Sequence, residues 1–149
     1  MNNNLQCPVD FITINENKAR VNAFFALLLV TSFLISGWLP IIAFLVIDFF
    51  MRAGKLGKYS VLGLLSDGVV RWLKLGNKPV DRAPKRFATC VGFVFCAAMF
   101  VLSLLNQFGV AQIAGGVLLI FAALEAFAGF CAGCYVYTAS LLLFKKPGN

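Results

Sequence analysis

The chain has 149 residues, 60% of them hydrophobic and only 13% charged, which is more apolar surface than one soluble domain of this length can bury. Lipid must therefore be the solvent for much of it. The net charge is +7, from 13 Lys and Arg against 6 Asp and Glu, but the bases flank apolar runs and form no separate basic domain. This excludes nucleic acid as the partner and makes the bases a topology signal.

Residues 1–20 form a polar lead-in. Its start lacks the basic and apolar regions of a signal peptide. No hydrophobic stretch precedes Cys7, so it is not read as a lipoprotein cysteine. From Val21 to Ser36 the chain is almost wholly apolar, until Gly37-Trp38-Leu39-Pro40 breaks it. A second run, Ile41 to Met51, ends at Arg52-Ala53-Gly54-Lys55. At about 1.5 Å per residue, residues 21–53 would make about 50 Å of helix. That is too long for one crossing of a ~30 Å hydrocarbon core and short for two. A tight hairpin of two short helices is the better fit, with Trp38 in the headgroup belt.

Residues 55–86 carry Lys55, Lys58, Arg71, Lys74, Lys78, Arg82, Lys85 and Arg86. Among them Val61, Leu62, Leu65, Val69, Trp72 and Leu73 recur at helical spacing, which predicts an amphipathic helix in the membrane interface. Asn77-Lys78-Pro79-Val80-Asp81 reads as a turn. A third apolar span runs from Phe87 to Gln107. A fourth run, from about Ala111 to Phe144, is too long for one straight span and should break near Gly129, Cys131, Gly133 and Cys134.

The short connections around 37–40 and 107–112 are uncharged, whereas the N-terminal segment, the long loop and the C-terminus are basic. The positive-inside rule puts these three on the cytoplasmic side. An internal duplication fits this topology. Pro8-Val9-Asp10 recurs as Pro79-Val80-Asp81, each followed by bases (Lys18 and Arg20, then Lys85 and Arg86). Phe44, Ile47, Asp48 and Phe50 align at one offset with Phe121, Leu124, Glu125 and Phe127. The expected fold is thus an all-α membrane protein with four transmembrane helices as two parallel-repeat hairpins. It forms one domain, 1–149, with spans near 21–36, 40–53, 87–107 and 112–131. An interfacial amphipathic helix lies near 59–74 in the central loop, and an interfacial or continuing helix near 134–144. The duplication maps Cys131 onto Gly54, near the cytoplasmic face.

With no His in the chain, the usual general base and the commonest metal ligand are missing. Of the five Cys, an odd number that speaks against a plain disulfide framework, Cys131 and Cys134 stand three apart on one helical face. That spacing suits a reversible disulfide, a soft-metal site, or simple packing of two small apolar side chains. Cys7 lies on the same side of the membrane and is a candidate exchange partner or third ligand. Cys90 and Cys96, six apart in the third span, read as packing residues. Asp48 and Glu125 are ionisable groups inside apolar spans, near the depth at which Arg20 and Arg86 enter, with Arg52 one turn after Asp48. Either they form salt bridges holding the repeats together, or they carry a proton or substrate.

Cys7-Pro8-Val9-Asp10, Ile14-Asn15-Glu16-Asn17-Lys18-Ala19-Arg20, Ala83-Pro84-Lys85-Arg86-Phe87, Leu124-Glu125-Ala126-Phe127 and Phe130-Cys131-Ala132-Gly133-Cys134-Tyr135 together resemble a family of small bacterial membrane proteins catalogued as domain of unknown function 4395. The resemblance spans nearly the whole chain and implies the bacterial inner membrane, where the charge map puts both termini in the cytoplasm. It implies no particular activity. From the residues, the leading expectation is a thiol-disulfide redox or sulfur-relay protein. Cys131, Cys134 and Cys7 would exchange with a cytosolic thioredoxin-like or sulfurtransferase partner. A soft-metal transporter using the same three thiols, a small-solute transporter and a non-catalytic scaffold are the alternatives. Beyond the lipid bilayer, further copies of the chain are a conceivable partner, and no cofactor is implied apart from that soft metal.

Overall fold

The computed structural model describes residues 13–54, 56–128 and 132–144. A short strand β1, Thr13–Asn15, leads into α1, Glu16–Ser36. Asn15 starts that helix, its side chain accepting a hydrogen bond from the Asn17 N–H at 3.0 Å. The helix therefore begins five residues before the apolar run at Val21. It stops at Gly37, which takes the left-handed conformation (φ 64°) and returns its N–H to the Phe33 carbonyl at 2.7 Å. Three residues past the end of α1, Leu39 opens α2, Leu39–Ala53, with Pro40 inside its first turn, where its missing N–H costs nothing. Gly37-Trp38 thus separates the two helices at the break visible in the sequence, with Trp38 exposed.

A 3-10 turn at Gly57–Tyr59 precedes α3, Val61–Trp72. Strand β2, Pro79–Asp81, then feeds α4, Arg82–Leu104. Asn106, at φ 58°, turns the chain into α5, Phe108–Ala123, which widens into a π-helical segment at Leu124–Ala128. The last helix is α6, Ala132–Phe144. Among the described residues, three segments are long and apolar enough to cross a membrane: Glu16–Ser36, Lys85–Leu104 and Phe108–Ala128. At 15 residues α2 is about 22 Å long, short of a ~30 Å core.

Helix α1 packs against α2 and α5, and α4 packs against the same two. Helix α3 lies on α1, and α6 on α4. The shared core joins Ala26, Val30 and Phe33 of α1 to Ile42, Leu45 and Phe49 of α2, Cys96 and Met99 of α4, and Leu118 of α5. Glycine sets two of the close approaches. A Cβ on Gly92 would lie 2.7 Å from the Phe49 ring, and one on Gly115 would lie 2.7 Å from a Leu34 methyl. Large apolar side chains such as Ile35, Val94, Ile113 and Leu143 face outward, as lipid contact requires.

The sequence shows no sign of the strand pair. Strands β1 and β2 run antiparallel, Ile14 opposite Val80, where the sequence suggests only a lead-in and a turn. Around them the Glu16 N–H donates to the Lys78 carbonyl and the Asn17 amide to that of Gly76. The pair ties the start of α1 to the start of α4. Pro8-Val9-Asp10 lies outside the described residues; the tripeptide that leads into α1, as Pro79-Val80-Asp81 leads into α4, is Thr13-Ile14-Asn15.

Candidate functional site

Helices α1 and α4 begin, and α2 and α5 finish, at the basic end of the molecule. Between them lies a cavity of about 550 Å3. Lys18, Arg52, Lys58, Lys85 and Arg86 line it, together with one acid, Glu125. Deeper down the lining is apolar, with Ala23, Ala26, Phe49, Gly92 and Leu118.

Three of the five bases reach carboxylates. Lys18 pairs with Asp67 of α3 at 2.6 Å, Arg52 with Asp48 at 3.6 Å, and Lys85 with Glu125 at 3.9 Å. The Arg86 guanidinium donates to the Ala53 carbonyl at 3.0 Å, and the Lys58 ammonium stands 5.5 Å from the Tyr59 ring centre. Neither has a carboxylate partner among the described residues. Asn22 adds a neutral polar group. It is 5% exposed, lines the cavity, and its Oδ1 has no hydrogen-bond partner among the described residues.

Asp48 is built into the scaffold behind this rim. It is 2% exposed, and its Oδ1 accepts from the Ser60 hydroxyl at 2.7 Å and the Leu62 N–H at 3.1 Å. Ser60 in turn caps α3 by accepting from the Gly63 N–H at 3.1 Å. One carboxylate therefore holds the start of α3 against α2 while facing Arg52. That guanidinium also lies 5.1 Å above the Phe49 ring.

The residues singled out from the sequence fall into three groups. Arg52, Arg86 and Glu125 meet at the cavity, with Asp48 behind Arg52. Arg20 pairs with Glu16 one turn earlier, at 3.4 Å. Cys7 and Cys131 lie outside the described residues; Cys134 is in the first turn of α6, its side chain outside them too. Two residues further on, Val136 lines the cavity. Cys96 is fully buried in the core, as a packing residue should be, whereas Cys90 is exposed on α4. Sequence reading passed over Lys18, Lys58, Lys85 and Asn22 as cavity residues. Asn22 carried a usable signal: an amide standing one residue inside an apolar span.

The family model described as domain of unknown function (DUF4395) matches residues 14–141. The chain belongs to this family. The match to domain of unknown function 4395 begins within β1 and ends within α6, so it takes in every element that lines the cavity. No curated protein and no solved structure matches the chain.

Proposed function

We propose that this chain is a four-span protein of the bacterial cytoplasmic membrane, with its basic end in the cytoplasm, that binds a small anionic solute for transfer. The observation that carries the reading is the cavity, open between α1, α2, α4 and α5 and rimmed, among the described residues, by five bases against one acid. Among the described residues, Lys58 and Arg86 are exposed at the rim and have no carboxylate partner, so both are accessible to an incoming anion.

The positive-inside rule supports the orientation, since Lys18, Lys58, Lys85 and Arg86 gather at one end. Counting α2 as the fourth span is supported by its apolar sequence and by its seat between α1 and α4. The parallel repeat is supported by position. Arg20 and Arg86 are each the fifth residue of their helix, and Ala26, Val30 and Phe33 hold the same places in α1 as Gly92, Cys96 and Met99 in α4. In this reading α3 lies in the interface, its outer Val61, Leu64, Leu65 and Trp72 in the headgroup region.

The test is anion binding by the purified protein in a neutral bilayer disc, followed by calorimetry. Saturable binding that falls at least tenfold in Lys58→Gln plus Arg86→Gln, with the melting temperature held, supports the reading. Unchanged affinity refutes it.

A second reading is thiol chemistry at the same site. Cys134 stands two residues before the cavity-lining Val136, so a Cys131–Cys134 dithiol would act beside the cavity. Thiol trapping in intact cells separates the two readings, because loss of function in Cys131→Ser and Cys134→Ser with anion binding intact would favour the dithiol.

A further inference from the structure

We infer that the ligand of this cavity is a single-chain amphiphile, an anionic head group carrying a short apolar tail. The inference rests on the anion-binding reading above and names the ligand class. Its basis is a polarity gradient that runs the same way down two helices. Along the cavity face of α1, successive turns read Lys18, Asn22, Ala26: cation, amide, methyl. Along α4 they read Lys85, Thr89, Gly92. The two helices start side by side, held by the β1–β2 pair, so both gradients descend from the same rim.

Three alternatives fit this wall less well. A hydrophilic anion such as inorganic phosphate would satisfy the rim and leave the apolar floor empty or filled with poorly held water. A neutral apolar molecule would fill the floor and make no use of the bases at the rim. A metal cation would be repelled by the rim. A head group on the bases with a tail between Ala26, Gly92 and Leu118 uses both halves of the site.

The volume agrees, since small-molecule pockets usually measure about 300–1,000 Å3 and this one about 550 Å3. Asn22 marks the crossover. It is buried, its Oδ1 is unpartnered among the described residues, and an amide turned over presents donors where it had an acceptor. It is therefore placed to bond the lower edge of a head group.

The same chemistry has two sources, a free alkyl anion or the head group and part of one chain of an acidic membrane lipid. The experiment uses the full chain in discs of phosphatidylcholine and titrates hexyl phosphate, inorganic phosphate and hexanol. Hexyl phosphate should bind at least tenfold more tightly than either of the other two. Ala122→Leu, which adds bulk to the lining, should weaken hexyl phosphate severalfold and leave inorganic phosphate unchanged, with the melting temperature as the check on folding. Equal affinity for inorganic and hexyl phosphate overturns the amphiphile and leaves the anion reading standing. Equal affinity for hexanol and hexyl phosphate, or no binding of any probe, overturns both. Repeating the titration in discs containing phosphatidylglycerol identifies the source. Competition there supports the inference with a bilayer lipid as the natural occupant, and undiminished binding supports it with a free amphiphile.

Discussion

Replacing Asp48 with Ala should be among the most damaging single changes in the described structure. The carboxylate is 2% exposed and accepts two hydrogen bonds, from the Ser60 hydroxyl at 2.7 Å and the Leu62 N–H at 3.1 Å. Hydrogen bonds to a charged group contribute about 1.5–3 kcal/mol each. The change also strands Arg52, 18% exposed in its side chain and 3.6 Å from Asp48. Breaking one half of a buried pair costs about 3–5 kcal/mol. The two contributions overlap, so a loss of about 4–6 kcal/mol is expected, close to the whole stability of a small domain. Asp48→Asn keeps an acceptor of the same shape and should cost about half as much. Unfolding in mixed micelles, followed by helical circular dichroism with increasing denaturing detergent, reads both. If Asp48→Ala lies within 1 kcal/mol of the parent, or Asp48→Asn is the worse of the two, the carboxylate does not hold α3 to α2 as described.

Gly92→Leu should lose about 1–3 kcal/mol, because its Cβ would meet the Phe49 ring at 2.7 Å and the ring would have to shift. Unchanged stability in the same unfolding assay would mean that α2 and α4 pack less closely. Gly37→Ala should cost about 1 kcal/mol, since φ at this C-cap is 64°, and Gly37→Asn should recover part of that loss. Glu125→Gln removes the acid that lines the cavity among the described residues and should tighten anion binding by up to about thirtyfold, from a Coulomb term of about 2 kcal/mol at about 8 Å and an effective dielectric of about 20. Weaker binding would make Glu125 part of the ligand site. With the other cysteines replaced by Ser, Cys90 should react with a lipid-soluble maleimide in the folded protein, and Cys96, fully buried, only after unfolding.

What could be read from the sequence follows the range of the forces involved. The helices were legible because apolar runs and their breaks are local: Gly37 and Pro40 announce a C-cap and an N-terminal turn by chemistry alone. Asp48 and Glu125 stood out because charge within an apolar run is conspicuous. Which base would meet which acid was not legible. Lys18 meets Asp67 forty-nine residues away, and this depends on how α3 lies on α1. The strand pair was invisible because three residues carry no period, and its partners are separated by the whole first hairpin and the loop. The cavity was legible only in fragments, since its lining comes from several separate elements and no single helix looks like a site.

The strand pair also bears on the order in which the molecule is made. Each hairpin closes over a connection of a few residues, α1 to α2 and α4 to α5, and such local contacts form fast. The β1–β2 pair and the contacts of α1 with α5 and α2 with α4 join residues much further apart in the chain and must come later. Because the cavity takes walls from both hairpins, it does not exist until that late closure is complete. A ligand that occupies it binds only the closed form, and so would act as a clasp on assembly, raising stability by RT ln(1 + [L]/Kd) as its concentration passes the dissociation constant.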